Sequence, residues 1–180
     1  MSIYAIADLH LSLAPGTEKP MDIFGDRWFN HTERIKENWC RTIKDEDTVV
    51  VAGDISWALK MEEAVFDLDW IDSLPGQKVI LKGNHDLWWN GITKMNRMYD
   101  TITFLQHDSF CPENEKSPEG GRIWICGSRG WITPDDDGFT ETDEKIYNRE
   151  LLRLESSLNS AGMEEGDEIL GFLHYPPVSD

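Results

Sequence analysis

Disulfide frameworks, zinc ribbons, membrane spans and basic tracts are all missing from this sequence. The three cysteines, Cys40, Cys111 and Cys126, are odd in number, far apart and outside any Cys-x-x-Cys spacing, which points to a reducing compartment. No apolar run approaches the roughly 20 residues that a bilayer crossing needs. A signal-peptide core and a basic leader are absent as well, so a soluble cytoplasmic protein is expected. Basic residues are scarce, 17 against 34 acidic ones, for a net charge of −17. Such a surface repels polyanions unless bound cations reverse the field locally, so neither nucleic-acid nor membrane binding is expected. Acidic patches such as Asp135-Asp136-Asp137 and Glu164-Glu165 are explained by a solvated face. Repeats, low-complexity tracts and linkers are missing too, and residues 1–180 are expected to form one domain.

What is present is a rhythm of short apolar strands and amphipathic helices. Strands are predicted at Ile3–Ala7, Thr48–Ala52, Val79–Leu81, Ile102–Leu105, Ile123–Cys126 and Ile169–Leu173. A helix is expected from His31 or Thr32, with Thr32 as a possible cap and Ile35, Trp39 and Ile43 as its apolar stripe. A second runs over Met61–Leu74 and stops at Pro75-Gly76, and a third over Glu141–Ser160, with Ile146, Leu151, Leu154 and Leu158 toward the core. Pro15, Gly16, Pro20 and Gly25 argue for an irregular segment between Ser12 and Asn30. Alternating strands and helices are the signature of parallel βαβ units.

Four short blocks follow four of these strands: Asp8-Leu9-His10, Gly53-Asp54, Gly83-Asn84-His85-Asp86 and Leu173-His174-Tyr175. Oxygen and imidazole donors delivered from several strand ends converge on one crevice, because parallel strands present the same edge to it. In an extended segment Asp8 and His10 point to one side and can clasp a cation, although a turn carboxylate and a backbone-bonded imidazole account for that pair alone. Gly53-Asp54 adds a carboxylate where glycine lets the backbone turn, and it is also ordinary loop chemistry. Gly83-Asn84-His85-Asp86 is harder to assign to packing: it supplies a neutral oxygen ligand, a proton donor in His85 and a carboxylate, Asp86, able to pair with that imidazole and raise its pKa.

In this order the blocks resemble the calcineurin-like metallophosphoesterase superfamily, whose pattern is Asp-x-His, Gly-Asp, Gly-Asn-His-Asp or Glu, a single His, and a closing Gly-His-x-His. The resemblance implies two mixed β-sheets packed face to face with helices outside, and hydrolysis of a phosphoester by two divalent metals and a metal-bridging hydroxide. Carried onto this sequence, Asp8 and His10 would hold one metal, Asn84 and His174 the second, and Asp54 both. His85 would be the acid at the leaving group and Asp86 its partner. Mixed nitrogen and oxygen donors favour Mn, Fe or Zn over Mg.

The closing Gly-His-x-His is not among these 180 residues. The resemblance therefore implies one protein ligand fewer per metal, weakened activity and self-association through an uncovered edge; a catalytically weak or inactive relative serving as an interaction module is the alternative reading. Arg129, in Gly127-Ser128-Arg129-Gly130-Trp131, and Arg149 are candidates to contact a substrate phosphate, since a guanidinium matches its oxygens; solvated surface positions are the alternative for both. His31 and His107 are expected to be structural or exposed. Trp57 and Trp88-Trp89 are expected to serve as core and pocket walls. The substrate is a phosphorylated molecule whose class, whether phosphomonoester, phosphodiester or phosphoprotein, the residues do not select.

Overall fold

Thr48-Val49-Val50-Val51-Ala52 is apolar on both sides, as a strand covered on both faces must be, and it is the centre from which the fold is built. In the computed structural model, which describes residues 2–16, 19–113 and 116–178, this strand, β2 (Thr48–Ala52), is buried throughout and lies between β1 (Ile3–Ile6) and β3 (Gln77–Leu81). Next to β3 lies β4 (Ile102–Leu105), and all four strands run parallel in the order β1-β2-β3-β4. A second sheet pairs β5 (Ile123–Ser128) with β6 (Glu168–Leu173), again in parallel. Antiparallel pairing is confined to the bridges Phe110–Ile125 and Lys116–Arg122 among the described residues.

Side-chain alternation sorts the core into two layers. Val49, Val51 and Ile80 pack with Trp39, Ile43, Leu68, Ile71 and Phe104 on the side of α1 (His31–Thr42), α2 (Met61–Asp72) and the short α3 (Ile92–Met95). Val50, Val79, Leu81 and Leu105 meet Ile125 between the sheets. The close approach of the sheets needs Gly127: a Cβ there would lie 2.2 Å from the Phe172 carbonyl oxygen and 2.6 Å from Leu81. The helix α4 (Glu141–Ser160) covers the outer face of β5, where the buried thiol of Cys126 lies against the Ser157 carbonyl. The result is helices, sheet, sheet, helix, an α/β architecture with two sheets packed face to face.

Several local expectations need correction. Thr32 is inside α1; the residue before the helix is Asn30, in a left-handed conformation that asparagine tolerates. The segment expected to be irregular contains two short 3₁₀ turns, Met21–Phe24 and Asp26–Trp28. The inward face of α4 is centred on Glu150 and Ser157, whereas Leu151 and Leu158 are exposed; three arginines and a β-strand backbone supply partners for those polar groups, so apolar residues are not needed there. The start of α4 is fixed by a capping box in which Thr140 and Asp143 exchange side-chain and backbone hydrogen bonds. Among the described residues no helix is long and apolar enough to cross a membrane.

Candidate metal centre

The carboxyl ends of β1, β2 and β3 share one edge, and three loops meet there. Leu9 and Leu11 are fully buried, so the residues between and before them, His10 and Asp8, are turned the other way. The segment is not extended, as the sequence suggested: β1 ends at Ile6, and Asp8 and His10 have φ of 57° and 45°. It is zippered to the loop after β2, with the Asp8, His10 and Leu11 amides donating to the carbonyls of Gly53, Asp54 and Ile55 at 3.0, 3.0 and 2.9 Å. This register sets Asp8 and His10 beside Asp54.

Asp54 is itself left-handed, φ 53°, after Gly53 at φ 96°. Gly53 is required: a Cβ would meet the His174 Nδ1 at 2.7 Å and the Gly83 Cα at 2.8 Å. Gly83 is tighter still, since its Cβ would fall 2.1 Å from the Asp54 amide nitrogen. The two glycines let three loops approach backbone to backbone.

Asp86 is the fastener of this junction. Its carboxylate is wholly buried and accepts five N–H bonds: from the amides of Gly83 (2.7 Å), Ile55 (2.9 Å), Asp54 (3.0 Å) and Ser56 (3.2 Å), and from the Trp88 indole (3.1 Å). Burial raises its pKa to about 6 against the downward pull of these donors. The expected pairing of Asp86 with His85 is thereby corrected, because both carboxylate oxygens are taken up by the loops. The carboxylate beside His85 is Asp54: its Oδ1 accepts the His85 amide at 2.9 Å, and its Oδ2 lies 4.0 Å from the His85 Nε2. The neighbouring buried Asp67 fastens the same loops to α2, accepting from the Ser56 hydroxyl and, at 2.8 Å, from the Leu13 amide; desolvation raises its pKa.

Two donor sets flank Asp54. On one side the His10 Nε2 lies 3.6 Å from the Asp8 carboxylate and 3.9 Å from the Asp54 Oδ2, and these three residues can converge on one ion. On the other, the His174 Nε2 is 3.5 Å from the Asp54 Oδ1 and 2.8 Å from the Asn84 Oδ1. The His174 Nδ1 must carry the ring hydrogen, because it bonds the Ala52 carbonyl at 2.9 Å and a carbonyl only accepts. With Nδ1 as the hydrogen-bearing nitrogen, the Nε2 faces the Asn84 amide oxygen, and as ligand atoms the two suit a cation held between them. Burial lowers the pKa of His10, more than the nearby Asp54 and Asp8 raise it, which favours the neutral, ligating imidazole; its Nδ1 is buried without a hydrogen-bond partner. On these observations the residues fit divalent metals.

His85 stands at the mouth with its side chain 46% exposed. Trp57 walls the site, stacked on His10 with ring centroids 4.7 Å apart and tilted against His85 at the same separation, while its indole nitrogen reaches the Met21 sulfur. Trp88 is buried and Trp89 bonds Gln106. His31 is structural, its Nε2 3.1 Å from the Leu9 carbonyl, and His107 is exposed. Arg129 and Arg149 are not brought to the donor atoms. Both sit on the Glu150 Oε1, at 3.2 and 3.6 Å, and the Arg129 guanidinium lies 4.5 Å over the Trp131 ring. Lys82, directly before the Gly83 block, was not among the sequence candidates.

Comparison with known proteins places the chain in a family. A profile of the calcineurin-like phosphoesterase family matches residues 1–178. The Gene 66 protein of Mycobacterium phage L5 is 32% identical over 93 residues, 51% of this chain and 41% of that protein, so the match spans less than half the relative's length. Among solved structures, a phosphopantetheinyl hydrolase from Mycobacterium tuberculosis is 14% identical with a TM-score of 0.53, covering 97% of this chain and 68% of its own. A protein of unknown function from Aquifex aeolicus is 20% identical with a TM-score of 0.42, covering 96% of this chain and 90% of its own. At 14% identity the likeness to the phosphopantetheinyl hydrolase is one of fold.

Proposed function

The chain belongs to the calcineurin-like phosphoesterase family, and from that premise we propose that it hydrolyses a phosphoester at a site holding two divalent metals. The observation that carries the number two is Asp54, whose Oδ2 faces Asp8 and His10 while its Oδ1 faces His174. Asp8 and His10 would hold one metal, Asn84 and His174 the other, and Asp54 both. Bound there, such metals polarise phosphate oxygens and make water nucleophilic at neutral pH, which is the chemistry they supply. Manganese, iron or zinc suits the mixed donor set.

The chain's own residues do the rest. His85, exposed at the mouth and with its backbone N–H donating to the Asp54 carboxylate, delivers a proton to the departing oxygen, which an alkoxide needs because it leaves poorly. Trp57 fixes the planes of both the His10 and His85 rings. Asp86 is a positioning residue, holding the Gly83 loop against the Asp54 loop.

The reading is tested by assaying p-nitrophenyl phosphate and bis-p-nitrophenyl phosphate with added Mn²⁺ or Zn²⁺, before and after chelation, alongside elemental analysis. Turnover that chelation abolishes and metal restores, with two equivalents bound, is expected. Turnover indifferent to chelation, or a single equivalent at saturation, overturns it.

A further inference from the structure

Against a net charge of −17, three arginines gather around a single carboxylate on α4, and Lys82 lies within electrostatic reach of it. Arg129, Arg149 and Arg153 all contact the Glu150 Oε1, at 3.2, 3.6 and 2.7 Å, and Glu150 is 2% exposed. The Arg129 Nε is buried without an acceptor. Lys82, half-buried, feels the positive charges of Arg129 and Arg153, and among the described residues no hydrogen bond or ion pair engages its ammonium. One carboxylate cannot neutralise four cations, and partly desolvated cations without counterions are costly. The other carboxylate that Lys82 feels is Asp86, whose oxygens the loops already occupy.

The cluster is continuous with the metal centre. Lys82 directly precedes the Gly83 loop, and the Arg129 carbonyl accepts the amides of His174 and Tyr175 at 3.2 and 2.9 Å. A chain of rings links the two places: His174 to Tyr175 at 5.4 Å, Tyr175 to Trp131 at 4.9 Å, and Trp131 beneath the Arg129 guanidinium.

We infer that Lys82, Arg129, Arg149 and Arg153 form a subsite for a second phosphoryl group of the substrate, beside the metal centre that takes the reacting one. The substrate class is then a molecule with two phosphoryl groups joined by a short linker. Guanidinium groups held in a planar fork match phosphate oxygens in pairs, and being weakly hydrated they tolerate the burial seen here. Against a net charge of −17, phosphate binding elsewhere on the surface is disfavoured. This assignment of substrate class rests on the hydrolase reading; the anion subsite itself does not.

Two non-hydrolysable probes differ by the group in question: propylphosphonate and 1,3-propanebisphosphonate. Isothermal titration into the Mn²⁺-loaded chain is expected to show the bisphosphonate binding at least tenfold tighter. In Lys82→Gln and in Arg153→Gln that margin collapses toward unity, while Lys82→Arg keeps it. After chelation, inorganic phosphate is expected to bind the wild-type chain and to bind Lys82→Gln at least tenfold more weakly. Equal affinity for the two probes, or a margin unchanged in folded Lys82→Gln and Arg153→Gln, overturns the inference. Turnover of an aryl phosphate without a margin refutes the subsite and leaves the hydrolase standing; a margin without turnover does the reverse.

Discussion

Asp54 has an oxygen toward each donor set, so its replacement is expected to be the most damaging single change to metal binding. Asp54→Asn is expected to leave at most one weakly held metal, read by elemental analysis; two retained equivalents would refute its shared role. His85→Ala should keep its metals and lose turnover roughly 10²- to 10⁴-fold, the usual reach of a general acid. That loss should be smaller for a nitrophenyl ester than for an alkyl ester, and equal losses would remove His85 from the acid's role. Asp86→Asn puts an amide, half of it a donor, against five N–H groups. Its unfolding midpoint should fall by the equivalent of about 2–4 kcal/mol, as expected when a buried charged acceptor is lost, and an unchanged denaturation curve would contradict the fastening role. That the four blocks would bring carboxylate, imidazole and amide oxygen donors together was legible, because metal chemistry draws on those donor types. The role of Asp86 was not legible, because three of its five donors come from residues 30 to 32 positions away and converge only when the loops meet.

The strands were readable from apolar runs, and β2 and β4 fall where the pattern put them. The inward face of α4 was misread, since the periodicity of leucines says nothing of a buried Glu150 that arginines surround. In β3, Lys78 was equally hidden within an apolar strand: it is fully buried, and its ammonium bonds the Asp72 and Leu74 carbonyls and the Thr101 hydroxyl, tying the end of α2 to the start of β4. Desolvation lowers its pKa to about 8 from 10.5. Between those values the unfolded chain binds more protons than the folded one, so the Lys78 contribution to stability rises with pH across that window. The difference in urea midpoint between the wild type and Lys78→Met should therefore shift in favour of the wild type from pH 8 to 10. A pH-independent difference would mean that the lysine is not desolvated in the folded state.

At the scale of the molecule, negative charge and metal uptake reinforce each other, because cations neutralise carboxylates held close by the fold. A metal at 100 times its dissociation constant stabilises a folded state that alone binds it by about 2.7 kcal/mol. Calorimetry should show Mn²⁺ raising the melting midpoint of the wild type and leaving that of Asp54→Asn nearly unmoved; equal shifts in both would point to binding elsewhere. The three side chains that converge on one ion, Asp8, His10 and Asp54, all hold left-handed backbone, a conformation that disfavours non-glycine residues by about 1–2 kcal/mol each. Glycine at Asp8 or His10 would relax that strain and remove a side chain of the proposed metal centre in the same step. Selection of variants for heat resistance alone, with metal withheld, would then drift toward glycine at these positions, and the sturdiest descendants would be the ones that had forgotten their chemistry.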